Sequence, residues 1–190
     1  MPRRQTELVA GEYYHLYNRG NNRQPVFLER ENCAFFLRQW RKYVSAACGV
    51  VGYCLMPTHY HMLVQVTADG LSHCMQLFGI SYTKAINARY HRVGALFQGS
   101  FQAKHVGRDE YLLDLSRYIH LNPVMAGLVR RAEEWEFSSF REYLGLRRGT
   151  LPTPDVVLGQ LGSREDYRAF VEAYVPEDRE TIAPVLWEDD

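Results

Sequence analysis

The chain has 190 residues, 46% of them hydrophobic and 23% charged, and its formal net charge is zero. This is ordinary globular composition, and the length suits one domain. No stretch approaches the roughly 20 apolar residues of a membrane helix, and the polar N-terminal segment does not resemble a signal peptide. The four cysteines form no close-spaced pair, which favours buried thiols in a reducing compartment and a cytoplasmic protein.

Positive and negative charges are separated along the chain. Residues 1–131 contain 16 Lys and Arg against 8 Asp and Glu, whereas residues 132–190 contain 6 against 14. A basic body of charge +8 predicts a polyanionic partner such as nucleic acid. The alternative is a solvated charge pattern that is merely uneven.

The first half of the chain predicts a strand, a helix and a hairpin. Residues 12–18 are rich in aromatic side chains and predict a strand, and residues 19–24 form a polar turn. Apolar residues recur at helical spacing in residues 29–47. Residues 50–56 and 59–66 are apolar runs separated by a proline-containing turn, which predicts a hairpin.

The second half continues with two helices and one strand. Apolar side chains form one stripe along residues 70–90, which predicts a helix. Residues 96–106 alternate between apolar and polar side chains and predict a strand. Residues 109–121 predict a third helix, which Asn122-Pro123 is expected to end, because the residue before proline disfavours helical geometry.

The order β–α–β–β–α–β is the split pattern of a ferredoxin-like antiparallel sheet, so the predicted fold class is α+β. Two helices are expected on one face of the sheet, which leaves the other face for chemistry or for the third helix. We assign residues 1–145 to this domain. Residues 146–190 are expected to form a small C-terminal extension with a helix over residues 163–174 and an acidic tail.

The strongest local motif is His59-Tyr60-His61. Alternate side chains of a strand share a face, so both imidazoles point the same way and can converge on one divalent cation. Zinc hydrolases also use this arrangement, and two structural histidines with satisfied hydrogen bonds are the simpler alternative.

The third helix has a polar stripe opposite its apolar one. Tyr111, Asp114, Tyr118 and Asn122 follow one another at i, i+3, i+7 and i+11. Tyr118 offers a phenolic nucleophile and Asn122 a carbonyl ligand one turn later. The alternative is an ordinary half-buried tyrosine and a helix cap.

The two motifs together suit phosphodiester chemistry. Cleavage without water needs a nucleophile, charge neutralisation at the phosphate and a held leaving group. A phosphotyrosine conserves the energy of the broken bond, so the step can reverse and join a different 3′-OH.

Five segments in fixed order resemble a known family. They are Tyr14-His15-Leu16-Tyr17-Asn18-Arg19-Gly20-Asn21-Asn22-Arg23-Gln24, Met56-Pro57-Thr58-His59-Tyr60-His61-Met62-Leu63, Phe97-Gln98-Gly99-Ser100-Phe101, Arg117-Tyr118-Ile119-His120-Leu121-Asn122-Pro123-Val124, and Trp135 with Ser138-Ser139-Phe140. Across residues 11–145 the chain resembles the HUH endonucleases with one catalytic tyrosine. Within them it is most similar to the REP-associated, IS200-like tyrosine transposases.

The resemblance implies a role for each matching residue. His59 and His61 correspond to the metal ligands, Tyr118 to the nucleophile and Asn122 to the polar residue that completes the metal site. His120 is the alternative third ligand. Mg²⁺ or Mn²⁺ is the expected ion, although histidine ligation alone leans toward softer metals.

The resemblance also implies the substrate and setting. The family acts on single-stranded, REP-type palindromes that fold into hairpins beside a short conserved sequence, in the bacterial nucleoid. The resemblance to REP-associated members implies a monomer, and a dimer is the alternative. Donor side chains suited to phosphates and base edges follow the first strand and extend to the fourth: Asn18, Arg19, Asn21, Asn22, Arg23 and Lys104.

Two other classes of protein remain open. A metal-dependent hydrolase would use the histidine pair to activate water and would form no covalent product. A catalytically silent regulator would bind hairpin DNA without cutting it.

The acidic tail suggests a further hypothesis. Its carboxylates resemble phosphate in charge and are expected to compete with DNA for the basic body: Glu177, Asp178, Glu180, Glu188, Asp189 and Asp190. The alternative is a solubilising, disordered end.

Overall fold

The computed structural model describes residues 6–107, 109–175 and 177–186. In this part of the chain one antiparallel sheet has the strand order β2–β3–β1–β4. Its strands are β1 (Tyr13–Arg19), β2 (Cys48–Met56), β3 (His59–Val66) and β4 (Gln102–Val106). β3 lies between β1 and β2 and runs antiparallel to both, which confirms the ferredoxin-like split βαβ arrangement.

One face of the sheet is covered by α1 (Arg30–Tyr43) and α2 (Leu71–Arg89). The apolar stripe predicted for the second helix is buried along its whole length: Leu71, Met75, Phe78, Tyr82 and Ile86. Tyr60, Met62 and Val64 of β3 enter the same core. These residues, which alternate along β3 with the positions of the motif histidines, therefore fix β3 to this layer and direct the histidines to the other face.

The opposite face is covered by α3 (Asp109–Met125) and by shorter helices. These are α4 (Phe140–Tyr143), α5 (Asp155–Leu161), α6 (Arg164–Glu172) and α7 (Asp178–Ile182). Only α6 was predicted, and its start is set by Ser163, whose side chain accepts a hydrogen bond from the Asp166 backbone. α5 and α6 pack in the same core as α3. The domain boundary between residues 145 and 146 stays a prediction.

The prediction that Asn122-Pro123 ends the third helix is wrong. The helix includes Pro123 and continues to Met125. Proline removes one hydrogen bond and crowds the preceding turn, at a cost of about 3 kcal/mol in a helix interior. Here it lies in the last turn, and the buried side chains Leu115 and Ile119 hold the helix against the sheet.

The predicted strand over residues 96–106 is also too long. β4 begins only at Gln102, which pairs with Tyr17 of β1. Beyond this pair, Asn18 donates a side-chain hydrogen bond of 3.0 Å to the carbonyl of Gly99. The side chain spans an interruption of the backbone ladder, which resumes only at an isolated bridge between Gly20 and Phe97, so residues 98–101 form a loop outside the strand.

A β-bulge at Val51 changes which face β2 presents. The register shifts between Val50 and Gly52, so Val50 and Tyr53 lie in the core under α1 and α2. Val51 lies in the core under α3. Two residues oppose one at a bulge, which reverses the alternation of side chains.

No described helix is both long enough and apolar enough to span a lipid bilayer. Of the acidic tail, Glu188, Asp189 and Asp190 lie outside the described residues.

Candidate catalytic site

The histidine pair lies at the start of β3, on the face covered by α3. His61 is fully buried and His59 is partly buried. Their ring centroids are 4.9 Å apart and the rings are nearly perpendicular, at 85°. The strand geometry predicted from the HxH spacing is confirmed, and the two imidazoles lie close enough to bind the same ion.

Both imidazoles are neutral at physiological pH. Burial lowers the pKa of His59 to about 4, against the opposing effect of a hydrogen bond with the Asn122 side chain, and the positive charge of Arg19 adds to the lowering. Burial lowers the pKa of His61 well below its ordinary value, with smaller contributions from His59 and His15. A neutral imidazole has a lone pair for a metal, whereas a protonated one has none.

The tyrosine helix contacts the histidine pair directly. The Tyr118 ring is 6.0 Å from the His61 ring, edge to face at 83°. One turn later, the Asn122 side chain lies close enough to His59 to influence its pKa and donates from Nδ2 to the Tyr118 carbonyl at 3.0 Å. The structure thus brings together all four residues predicted to carry the chemistry, and all four belong to one chain.

Tyr118 is only 3% exposed. It packs in the core formed by α3, the sheet and the C-terminal helices. An external phosphate therefore has no free access to the phenol in this arrangement.

His15 of β1 has no role that the sequence patterns predict. Its ring stacks on His61, with centroids 5.0 Å apart, and its Nε2 lies 2.8 Å from His61 Nδ1. His15 is fully buried, and its Nδ1 lies 2.8 Å from the carbonyl oxygen of Val185. The alternation of side chains along β1 places His15 on the face of the sheet that α3 covers. Its contact with His61 depends on the register between β1 and β3.

Among the described residues, no group of three or more His, Cys, Asp or Glu side chains has the geometry of a metal site. The available donors are the imidazoles of His59 and His61 and the amide oxygen of Asn122. Imidazole and carbonyl donors together suit Mn²⁺ and allow Mg²⁺ or Zn²⁺. This donor set fits a divalent ion that takes its remaining ligands from phosphate and water.

His120, the alternative third ligand, lies elsewhere. It is fully buried, and its ring nitrogens hydrogen-bond the Tyr167 hydroxyl and the Ser139 hydroxyl, each at 2.7 Å. Burial lowers its pKa to about 3. His120 therefore joins α3 to α6 and to the segment before α4, away from the histidine pair.

Two of the predicted DNA contacts have structural partners at the end of β1. Asn18 is largely buried and ties the strand to the loop at Gly99. Arg19 is 8% exposed, donates from Nε to Gln98, and lies close enough to His59 to lower its pKa. Arg19 therefore contributes positive charge to the site, whereas Asn18 shapes the adjoining loop.

The polar turn after β1 is exposed beside the histidine end of the sheet. The Gly20 backbone donates to the Thr58 carbonyl at 2.8 Å, next to His59. A Cβ at Gly20 would lie 1.9 Å from the Gln24 carbonyl oxygen, so this close approach requires glycine. Asn22 and Arg23 are exposed and have left-handed backbones, with φ of 53° and 57°.

Lys104 lies on β4 opposite His15 of β1. Its charge contributes to the low pKa of His15. The DNA contacts predicted from the sequence thus lie in two places on the sheet. The turn after β1 lies at the end of the sheet near His59, and Lys104 lies farther along, opposite His15.

Arg117, next to Tyr118, connects α3 to the C-terminal helices. It is 7% exposed and pairs with Asp114 at 2.8 Å and with Asp178 of α7 at 3.0 Å. Its guanidinium lies over the Phe170 ring, 4.1 Å from the centroid. One predicted tail carboxylate therefore neutralises a basic side chain of the body.

A ferredoxin-like sheet with paired histidines facing a tyrosine helix defines the class of single-tyrosine HUH proteins. The family described as Transposase IS200 like matches residues 9–122. The chain belongs to this IS200-like transposase family, which confirms the resemblance seen in the sequence.

Individual relatives agree with this membership. A REP-associated tyrosine transposase of Haemophilus influenzae (strain ATCC 51907 / DSM 11121 / KW20 / Rd) is 25% identical over 101 residues. The match covers 47% of this chain and 57% of the relative, so the chain spans little more than half of the relative's length.

Two solved structures are similar in fold. The structure of a REP-associated tyrosine transposase bound to a REP hairpin has a TM-score of 0.64 at 15% identity, covering 80% of this chain and 98% of the other. A transposase from Deinococcus radiodurans R1 has a TM-score of 0.43 at 17% identity, covering 62% and 95%. The first similarity shows a shared fold, and the second is too low to carry an argument.

Proposed function

We propose that this protein cuts and rejoins single-stranded DNA at REP-type hairpins through a 5′-phosphotyrosine on Tyr118. A divalent ion, Mg²⁺ or Mn²⁺, is held by His59, His61 and Asn122. The observation that carries the proposal is the 6.0 Å separation of the Tyr118 and His61 rings within one chain. Membership of the IS200-like family supports a role in DNA processing in general. The ring separation supports the more specific mechanism through a phosphotyrosine.

The Tyr118 oxygen attacks the scissile phosphorus as the nucleophile. A bond forms between that oxygen and phosphorus while the bond from phosphorus to the 3′ oxygen breaks. The phenol loses its proton, and the 3′ oxygen leaves as a hydroxyl after gaining one. The reverse attack by another 3′-OH restores Tyr118 and joins a new strand, so no external energy source is needed.

The site residues divide the remaining work. A divalent ion held by His59, His61 and Asn122 would neutralise charge on the phosphate and polarise it for attack. His59 and His61 offer neutral imidazole donors, and Asn122 offers an oxygen from the helix that carries the nucleophile. Arg19 and Lys104 add positive charge, since each lowers the pKa of a nearby histidine.

Access to Tyr118 requires a change in the packing around α3. The side chain is 3% exposed, and in-line attack needs the phosphate within contact distance of its oxygen. We infer that the α3 layer shifts when DNA binds. Such a step would keep the nucleophile away from unrelated phosphates.

The turn Asn21–Arg23 is the proposed contact for the hairpin or its flanking sequence. It is held beside His59 by backbone hydrogen bonds to the Pro57-Thr58 turn. Left-handed backbone at a residue other than glycine costs about 1–2 kcal/mol. This cost is consistent with a turn shaped for binding, and the polar, exposed Asn22 and Arg23 suit phosphates and base edges.

The proposal includes a monomeric enzyme with a C-terminal extension. All four catalytic side chains come from one chain, and α3 packs against α5, α6 and α7 of the same chain. Exchange of tyrosine helices between two copies would have to displace these contacts. We therefore assign α5, α6 and α7 of the C-terminal extension the role of covering α3.

The deciding experiment is detection of a covalent protein–DNA adduct. The protein is incubated with Mn²⁺ and a single-stranded REP-type hairpin and analysed on a denaturing gel. Wild type should form an adduct, and Tyr118→Phe or EDTA should abolish it. Tyr111→Phe, which removes a hydroxyl seven residues earlier on the same stripe, is the matched control and should retain the adduct.

The alternative functions give different results. Cleavage without an adduct that survives Tyr118→Phe would overturn the phosphotyrosine mechanism in favour of a water-activating hydrolase. Tight hairpin binding without cleavage would identify a regulator instead.

A further inference from the structure

Three buried groups form a continuous chain of hydrogen bonds behind the histidine pair. The Val185 carbonyl oxygen lies 2.8 Å from His15 Nδ1. His15 Nε2 then lies 2.8 Å from His61 Nδ1. His15 and His61 are fully buried and Val185 is 2% exposed, so water does not compete for these bonds.

The chain of bonds has a fixed direction. A carbonyl oxygen only accepts, so His15 Nδ1 must carry a proton and donate it to Val185. His15 is fully buried, where a neutral imidazole is favoured over a charged one, and a neutral ring with its proton on Nδ1 has none on Nε2. His61 must therefore donate from Nδ1, which leaves the lone pair of His61 on Nε2.

This tautomer of His61 is the less common one. A neutral histidine free in water carries its proton mostly on Nε2, where no lone pair would remain for a metal. The contact with His15 selects the form that ligates through Nε2, and the stacked rings restrict the orientation of the imidazole.

We propose that His15 is a positioning residue that sets the tautomer and orientation of His61, and that the Val185 carbonyl of the C-terminal segment sets His15 in turn. The inference rests on the proposed metal site at His59 and His61. Partners that hold the second nitrogen of a ligating histidine typically contribute 10- to 100-fold to metal affinity or activity.

The C-terminal segment thereby becomes part of the catalytic site. Val185 is 170 residues from His15 in the chain, and Val185 and Leu186 are both buried in the α3 core. The segment is positioned by this packing, so its carbonyl orients a residue on β1 without contacting substrate.

The first test is the protonation pattern of His61 in the metal-free protein at neutral pH, read from ¹⁵N chemical shifts of the imidazole. We expect the proton on Nδ1 of both His15 and His61. A proton on Nε2 of His61, or equal populations of the two tautomers, would overturn the inference. This readout needs no metal, DNA or cleavage, so it is separate from the test of phosphotyrosine formation.

The second test compares two substitutions by their affinity for Mn²⁺ alone, measured from the EPR signal of the free ion. His15→Gln places an amide near the position of Nε2 and should bind within about threefold of wild type. His15→Phe keeps a ring but no acceptor and should bind about 10- to 100-fold more weakly. Equal affinity of His15→Phe and wild type, or equal losses in both variants, would overturn the hydrogen-bonding role.

Truncation separates Val185 from the rest of the tail. A chain ending at Leu186 keeps the carbonyl and should retain the wild-type ¹⁵N pattern of His61. A chain ending at Ile182 removes it and should show mixed tautomers at His61. If this shorter chain does not fold, as judged by near-ultraviolet circular dichroism, the tautomer measurement on the full chain still decides the proposal.

Discussion

Asn122 donates a 3.0 Å hydrogen bond from its side-chain Nδ2 to the backbone carbonyl of Tyr118, the residue one turn earlier on α3. This bond fixes which end of the amide faces the helix and turns the other end, the oxygen, away from it. The same side chain contacts His59. The nucleophile and the proposed third ligand are thus coupled through one helical turn.

Asn122→Ala should reduce adduct formation by about tenfold or more at limiting Mn²⁺, because it removes an oxygen donor of the metal. Asn122→Asp keeps an oxygen at the same position and should retain more activity than the alanine variant. Rates of adduct formation over a series of Mn²⁺ concentrations measure both effects. An alanine variant with the wild-type rate at the lowest concentration would remove Asn122 from the site.

Substitution of His61 by alanine should abolish Mn²⁺ binding and adduct formation together, because one of only two imidazole donors is lost. His73→Ala is a matched control, since His73 is an exposed histidine on α2 outside the site. Equilibrium dialysis and denaturing gels give the two readouts. Retained adduct formation in His61→Ala would contradict the metal site.

Asp178→Asn should strengthen hairpin binding by about two- to fivefold, because a partly buried ion pair contributes about 1 kcal/mol. The substitution frees the Arg117 guanidinium from its 3.0 Å contact with α7. It is a cleaner test of tail inhibition than truncation after Tyr174, which also removes the Val185 carbonyl. Affinity is measured by fluorescence anisotropy across a range of salt concentrations.

The control for this prediction is Glu180→Gln, which removes an exposed charge from the same helix. If both variants strengthen binding equally, the effect is one of net charge alone. If neither does, the tail does not compete with DNA.

Tyr167→Phe should lower the free energy of unfolding by about 1–3 kcal/mol, the usual cost of leaving buried polar groups without a partner. The Tyr167 hydroxyl bonds His120 at 2.7 Å and Ser116 at 2.9 Å. Urea denaturation measures the change, with Tyr174→Phe as the control. A change below about 0.5 kcal/mol would show that the cluster contributes little to stability.

The metal-free protein should lose stability as the pH falls below about 6.5. An unfolded histidine takes up a proton near pH 6.5, whereas burial delays this to about pH 3 for His120 and about pH 4 for His15. The unfolded state therefore binds more protons in this window, and each such histidine lowers stability by up to about 1.4 kcal/mol per pH unit. Urea denaturation between pH 7 and pH 4 measures the slope, and a flat profile would contradict it.

Short-range patterns were enough to predict the strand and the helix that carry the proposed site residues. Side chains two residues apart in a strand, or four apart in a helix, lie on the same face. The placement of His59 with His61, and of Tyr118 with Asn122, follows from this rule alone. The predicted bounds of β3 agree with the structure. The order of elements was also sufficient for the split βαβ sheet.

Features that depend on distant partners were not predictable in this way. The start of β4 depends on the Asn18 contact with Gly99, and the third helix continues through Pro123 because its buried face packs on the sheet. The bulge at Val51 has a local signal in Gly52, since an isolated glycine within a strand often marks a bulge, but the resulting change of face depends on the pairing with β3.

The sequence by itself determined which residues are proposed to carry the chemistry, because periodicity within one strand or one helix places their side chains on a common face. Only the tertiary structure decided how that site is supported. The link from Val185 through His15 to His61 joins three segments far apart in the chain. Such a contact depends on strand register and on the packing of the C-terminal segment, which arise only when the whole chain has folded.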